Sequence, residues 1–285
     1  MVMPVSEFGF NGDAEFVGAS PSDAAVLTYY LKKRHVLGDL RLEIYDPQGT
    51  LLGTVPGSRR RGINRVEWTM RSKAPRSAPG AGLIPSLGSL MGPRVSPGTY
   101  TVKMIKGKDT FASTVTIVPE PGSRHSDADR ALQGQTARTL YGMVERLAFL
   151  VDSLADARDQ AKAASSTLAE KDPLRARLGL LADGFEAQRA ALVSSQRGEG
   201  ISGEEKLREE IGTLYGNVNV YEGRPTTSQL DRMAVLDSDL AAAFTLFETS
   251  FGKGVAAPNA QLAKKKLAPL VVLSRGEWDK RRPGA

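Results

Sequence analysis

Hydrophobic spacing changes period once along this chain, near residue 120, and that change restricts it to a strand-built unit followed by a helix-built one. Upstream, Ala25 to Lys32 (AVLTYYLK), Leu40 to Tyr45 (LRLEIY) and Arg65 to Met70 (RVEWTM) alternate with period two and are rich in β-branched and aromatic residues. In LRLEIY, Leu40, Leu42 and Ile44 share one face, Arg41, Glu43 and Tyr45 the other. Asp46-Pro47-Gln48-Gly49 is a turn in which Pro presets φ and Gly takes the left-handed position, so Leu51 to Val55 is expected to return as a hairpin partner. Tyr100 to Ile105 and Phe111 to Val118, joined by Lys106 to Asp109, repeat the pattern. Six or seven short strands in about 100 residues predict an Ig-like or fibronectin-like antiparallel β-sandwich over residues 14–120, behind an N-terminal arm at 1–13, with Trp68 as its central core aromatic.

Downstream the period is helical. Ser126 is expected to cap a helix whose first turn holds Asp127 and Asp129. Leu140, Met143, Leu147, Leu150, Leu154, Ala157 and Ala161 then recur at steps of three and four, the spacing of a heptad stripe. Pro173 opens a second helix carrying Leu174, Leu178, Leu181, Phe185, Gln188 and Leu192, closed by Gly198 and Gly200. A third spans about 203 to 218 with Leu207, Ile211 and Leu214 inward, and a fourth begins near Thr226 with Leu230, Met233, Leu240, Phe244, Phe247 and Phe251. These predict an antiparallel helical bundle over 124–255, followed at 256–285 by a strap or short helix and, from Gly276, a frayed basic tail. So narrow a seam suits pairing within the chain and between chains equally, so the oligomeric state stays open.

Composition excludes whole classes of chemistry. With no cysteine there is no disulfide, thiolate nucleophile or Cys-bearing zinc site, and only His35 and His125 are available for imidazole chemistry. No apolar run approaches the 18 to 20 residues of a spanning helix, and MVMPVSEFGF has neither the basic nor the apolar region of a signal peptide. The net charge of +6 is confined to residues 1–119, with 15 Lys and Arg against 9 Asp and Glu; residues 120–285 hold 23 of each.

The order DAAVLTYYLKKRHVLGDLRLEIYDPQGTLLGTV, GINRVEW at 62–68 and SPGTYTVKM at 96–104 resembles the Ig-like module near the C-terminus of bacterial sortilin-like (BNR or VPS10-type, glycosyl-hydrolase-like) propeller proteins. It is similar, more loosely, to the Ig-like domain of the flagellar hook-capping family. In the sortilin-like family the module is followed by a helical segment, and TLYGNVNVYEGRPTTSQ at 213–229 resembles the linker before its last long helix. The likeness covers roughly residues 15–250 and carries over Tyr29, Tyr30, Gly62, Asn64, Trp68, Gly98 and Tyr100 as fold-defining positions, not catalytic ones. It implies a periplasmic or extracellular setting, with cytoplasm the alternative. The family's propellers hold its binding sites, and this chain has no Ser-x-Asp-x-Gly-x-x-Trp box and no repeat of 40 to 50 residues.

A search for chemistry ends without a catalytic constellation. Glu67 beside Trp68 is the sole suggestive pair on the β unit, and Asp152, Asp156 and Asp159, like Glu204, Glu205, Glu209 and Glu210, read as solvated helix faces. There is no phosphate loop, nucleophile elbow, supported dinucleotide fingerprint or Glu-x-x-His motif, and no cofactor is expected. Two features suit a protein partner. One is the basic turn Arg59, Arg60 and Arg61, which Arg65 and Arg76 would extend, with a plain solvated turn or contact with nucleic acid or anionic lipid as the alternatives. The other is the Pro/Gly-rich loop 73–98 with its large apolar residues Leu83, Ile84, Leu87, Leu90 and Met91, which either folds back over the sandwich edge or docks on a partner. No recognition helix or aromatic pair accompanies the arginines, so specific nucleic-acid binding is not expected, while Lys264, Lys265 and Lys266 leave peripheral membrane contact as an alternative to a solvated turn. The expectation is a non-catalytic interaction or scaffolding subunit; the alternatives are the non-catalytic tail of a propeller protein and a hydrolase with paired carboxylates.

Overall fold

A computed structural model describes residues 22–79, 91–194 and 205–281. The chain divides into two compact units: residues up to Lys73 with Arg94–Arg130, and Ala74–Pro93 with everything from Ala131.

The first unit carries six strands among the described residues: β1 (Ala25–Leu31), β2 (Leu40–Tyr45), β3 (Leu51–Pro56), β4 (Gly62–Trp68), β5 (Gly98–Lys106) and β6 (Asp109–Ile117). They form two antiparallel sheets, β1-β4 and β3-β2-β5-β6. The β2–β3 hairpin follows the predicted turn: the Asp46 carboxylate accepts from the amides of Gln48 (3.0 Å) and Thr50 (2.7 Å), and Gly49 takes φ +82°. Leu40, Leu42 and Ile44 are buried, as alternation requires, each worth about 1.5–3 kcal/mol. One core joins residues of both sheets: Leu42, Ile44, Tyr100 and Val102 from one, Trp68, Leu27, Tyr29 and Val66 from the other. Trp68 meets Tyr100 edge-on, with ring centroids 5.6 Å apart, and donates its Nε1–H to the Arg71 carbonyl.

The second unit is helical: α1 (Asp127–Ser166, whose first turn belongs to the strand unit), α2 (Pro173–Leu192), α3 (Leu207–Val220), α4 (Thr227–Lys264) and α5 (Arg275–Lys280). Every predicted seam residue of α1 from Leu140 to Ala161 is buried, together with Leu178, Phe185, Ile211, Tyr215, Leu236 and Leu240 from α2, α3 and α4. Sequence-local signals set the starts. Ser126 Oγ accepts from the Asp129 amide while Asp129 accepts from Ser126, Asp172 caps α2 ahead of Pro173, and Thr226 forms a capping box with Gln229.

Three expectations are corrected. α2 stops at Leu192, before Gly198 and Gly200, which lie outside the described residues. The fourth helix does not end near residue 255: α4 runs through Pro258 to Lys264, because Phe251, Val255, Pro258 and Leu262 continue its buried stripe. Residues from Gly276 are not a frayed tail over the described stretch. Ser274 and Glu277 build a capping box that starts α5, and its Trp278 is fully buried.

Candidate functional site

In the strand unit the β3–β4 connection is built to hold its backbone still while three arginines project. Gly57 donates to the Leu40 carbonyl at 3.0 Å, and a Cβ there would lie 2.7 Å from Leu40 Cγ, so the close approach demands glycine. The next three carbonyls are then taken in order by separate donors. Tyr29 Oη–H reaches Ser58 O at 2.5 Å, the His35 amide reaches Arg59 O at 3.1 Å, and Asn64 Nδ2 reaches Arg60 O at 2.9 Å. Asn64 is itself buried and also donates to Gly62 O at 3.0 Å. Burial raises the Tyr29 phenol above its ordinary range, against the opposing pull of the Ser58 contact, so it stays a neutral donor. The side chains of Arg59, Arg60 and Arg61 are all exposed.

Beside this turn, β1 and β4 turn one face outward. Tyr30 pairs with Ile63, Thr28 with Arg65, and Val26 with Glu67. Tyr30 is 65% and Ile63 71% exposed, a cross-strand aromatic–aliphatic pair that faces solvent at the arginine end of the ribbon. Two large apolar side chains beside three guanidinium groups have the composition that protein interfaces favour. Glu67 accepts from Ser22 Oγ at 3.1 Å.

The helical unit absorbs the other candidates. Arg76 does not extend the basic turn: it lies in this unit, donating to Asp152 (2.7 Å) and to the Trp278 carbonyl (2.8 Å), with its guanidinium 4.0 Å over the indole. The Trp278 Nε1–H also donates to Asp152, at 2.6 Å, and Arg281 reaches Asp156 at 2.8 Å. Asp152 and Asp156 are therefore docking positions for α5, not merely a solvated face; they line an open cleft of about 260 Å³ in which each faces an arginine. A second cavity, about 230 Å³, is walled by Phe149, Phe244, Phe247, Phe251 and Val272. Glu186 is held by Arg189 and Arg158, which draw its carboxyl down to about 2 against the cost of burial. Glu209 accepts from the amides of Ser194 and Lys206, Glu210 pairs with Arg232, and Lys265 reaches Asp172 at 2.6 Å, holding that carboxyl below its usual range.

Of the loop residues, Leu83, Ile84, Leu87 and Leu90 lie outside the described residues. Met91 is 36% exposed, and its carbonyl accepts from Tyr215 Oη (2.6 Å) and Asn219 Nδ2 (3.0 Å). Among the described residues no group of three or more His, Cys, Asp or Glu is placed to hold a metal ion, and no helix is long and apolar enough to cross a membrane.

Sequence reasoning found the arginines but missed what fixes them. Tyr29 was legible only as a core type, since the carbonyl it holds lies far along the chain at Ser58, and Asn64 likewise, although the carbonyls it holds, Arg60 and Gly62, are its near neighbours. Trp278 was missed although Ser274-x-x-Glu277 is a helix-start signal. Comparison with protein-family models, with curated proteins and with solved structures finds no match for this chain.

Proposed function

We propose that the chain is a non-catalytic protein-interaction module, an accessory or scaffolding subunit made of an Ig-like or fibronectin-like β-sandwich followed by an antiparallel helical bundle. The observation that carries this reading is the clamped turn: Ser58, Arg59 and Arg60 each have their carbonyl held by a different donor while Arg59, Arg60 and Arg61 stay exposed. A guanidinium presented from a backbone already held in place loses less entropy on binding than one on a loose loop. The partner is a protein whose acidic groups meet the arginines and whose apolar surface covers Tyr30 and Ile63.

The test is affinity capture by the tagged full chain from its native membrane and soluble fractions, beside a variant with Arg59→Ala, Arg60→Ala, Arg61→Ala and Tyr30→Ala. A stoichiometric protein captured by the parent, absent from the variant and released at about 0.5 M salt supports the reading. Equal capture by both chains, with equal thermal transitions, refutes it. Deleting residues 80–92 in parallel asks whether the apolar loop is a second contact.

A second reading is the non-catalytic C-terminal region of an exported sortilin-like propeller protein. It is supported by the work done at the resembling positions, where Trp68 and Tyr100 fill the core and Tyr29 and Asn64 clamp the turn. The intact mass of the native protein decides it: a mass far above 30.6 kDa places catalysis upstream.

A further inference from the structure

The four-stranded sheet ends differently at its two edges. At β3 the edge is blunted: Pro56 offers no amide hydrogen, the β2–β3 register shifts between Ile44 and Tyr45, and the Leu52 carbonyl already accepts from the Lys73 amide. At β6 none of these devices is present. The strand is nine residues, DTFASTVTI, with no proline and no charge after Asp109. Among the described residues no backbone hydrogen bond reaches it from any element except β5. Residues Asp109 to Thr114 are exposed in unbroken succession.

The side chains of β6 explain what the open edge lacks. Phe111, Ser113, Val115 and Ile117 stand opposite Met104, Val102, Tyr100 and Gly98, so they share the core-facing side of the sheet. Val115 and Ile117 pack on the core, but Phe111 is 52% exposed. It is an aromatic on the inner face of the strand that ends the sheet among the described residues.

We infer that β6 pairs antiparallel with β6 of a second copy of this chain, about a twofold axis at Ser113, joining two four-stranded sheets into one of eight strands. The strand is complementary to itself in that register. Phe111 falls opposite the second copy's Val115 on the inner face, covering the exposed ring, and Asp109 falls opposite Ile117, so the only charge on the strand never meets its own copy. Edge amides and carbonyls otherwise left to water gain partners along the whole strand. This association is independent of the arginine surface and does not rest on it.

The test is sedimentation equilibrium of the full chain. The parent is expected at twice 30.6 kDa. Ser113→Glu and Ser113→Lys each place like charges face to face on the axis and are expected to weaken the dimer by about tenfold or more. An equimolar mixture of the two variants, which places Glu against Lys, is expected to restore it. A parent that stays monomeric up to about 100 μM, or variants that dimerise as well as the parent, overturn the proposal. Amide exchange of the parent is a check that needs no variant: residues 109–117 are expected to exchange faster on dilution, and exchange independent of concentration overturns the pairing.

Discussion

The indole Nε1 of Trp278 donates to Asp152 Oδ2 at 2.6 Å across 126 residues of sequence, and the same carboxylate accepts from Arg76 at 2.7 Å. One acid on α1 thus ties down both the segment entering the helical unit and the six-residue helix near its end. The Arg76 and Arg275 guanidinium groups lie 4.0 and 4.4 Å from the indole ring, and Phe149 meets it edge-on at 5.7 Å. α5 is too short to hold itself as a helix in water, so this socket and the Ser274 cap stabilise it.

Trp278→Ala is therefore expected to destabilise the helical unit by about 3–5 kcal/mol, the range for emptying a buried aromatic site. Trp278→Phe keeps most of the packing and loses the Nε1 bond, for a smaller cost of about 1–2 kcal/mol. Urea unfolding of the full chain measures both; an alanine variant as stable as the parent would show that α5 is not docked.

Gly57 and Gly53 make a matched pair. Alanine at 57 puts its Cβ 2.7 Å from Leu40 Cγ and 3.0 Å from Leu40 O, whereas alanine at 53 meets nothing within 4 Å. Gly57→Ala is expected to cost about 1–3 kcal/mol through forced displacement of the strand. Gly53→Ala should be neutral or stabilising by up to about 1 kcal/mol. Thermal melts of the two variants give the comparison, and equal melting temperatures would contradict the close approach.

Asn64→Ala removes the donors that hold the Arg60 and Gly62 carbonyls and is expected to cost about 1–3 kcal/mol. The diagnostic readout is local: amide exchange at residues 58–62 should quicken more than at β5, and partner binding should weaken although every arginine remains. Uniform protection across the unit would mean that the turn holds without Asn64.

Glu186 gives the helical unit a pH dependence. Arg189 and Arg158 draw the Glu186 carboxyl down to about 2 in the folded state, against an ordinary value of 4.5. A depressed acid adds stability that is fully present above its unfolded value and is lost as pH falls toward the folded one. Glu186→Gln should accordingly be less stable than the parent at pH 7, with the gap closing between about pH 4.5 and 2. A gap that stays constant over that window would show the ion pairs to be energetically silent, as exposed pairs often are.

Strands, turns and helix starts were legible because each is encoded within a few residues. Alternation in LRLEIY, the Asp46–Gly49 turn, the Leu140–Ala161 stripe and the caps at Ser126 and Thr226 all act over one or two turns of chain. The clamped turn was legible only in part. Three adjacent arginines stand out in any reading, but of the donors that fix them Tyr29 and His35 are ordinary strand and loop residues until the sheet brings them to the turn, and Asn64, a near neighbour of the turn, carries no mark of its role in its type. Asp152 and Asp156 read as a solvated face because nothing near them in sequence reveals Arg76 or Arg281.

What the sequence alone determined is the order of elements and the face each one buries, since period and capping depend on neighbours one to four residues away. Only the tertiary structure decided that Arg76 belongs with the helices, that α4 continues through Pro258, that Trp278 is core and that β6 is the last strand of its sheet among the described residues. Each of these depends on a contact, or on the lack of one, between groups tens to hundreds of residues apart. Packing of buried surface sets such pairings, and local spacing carries no record of them.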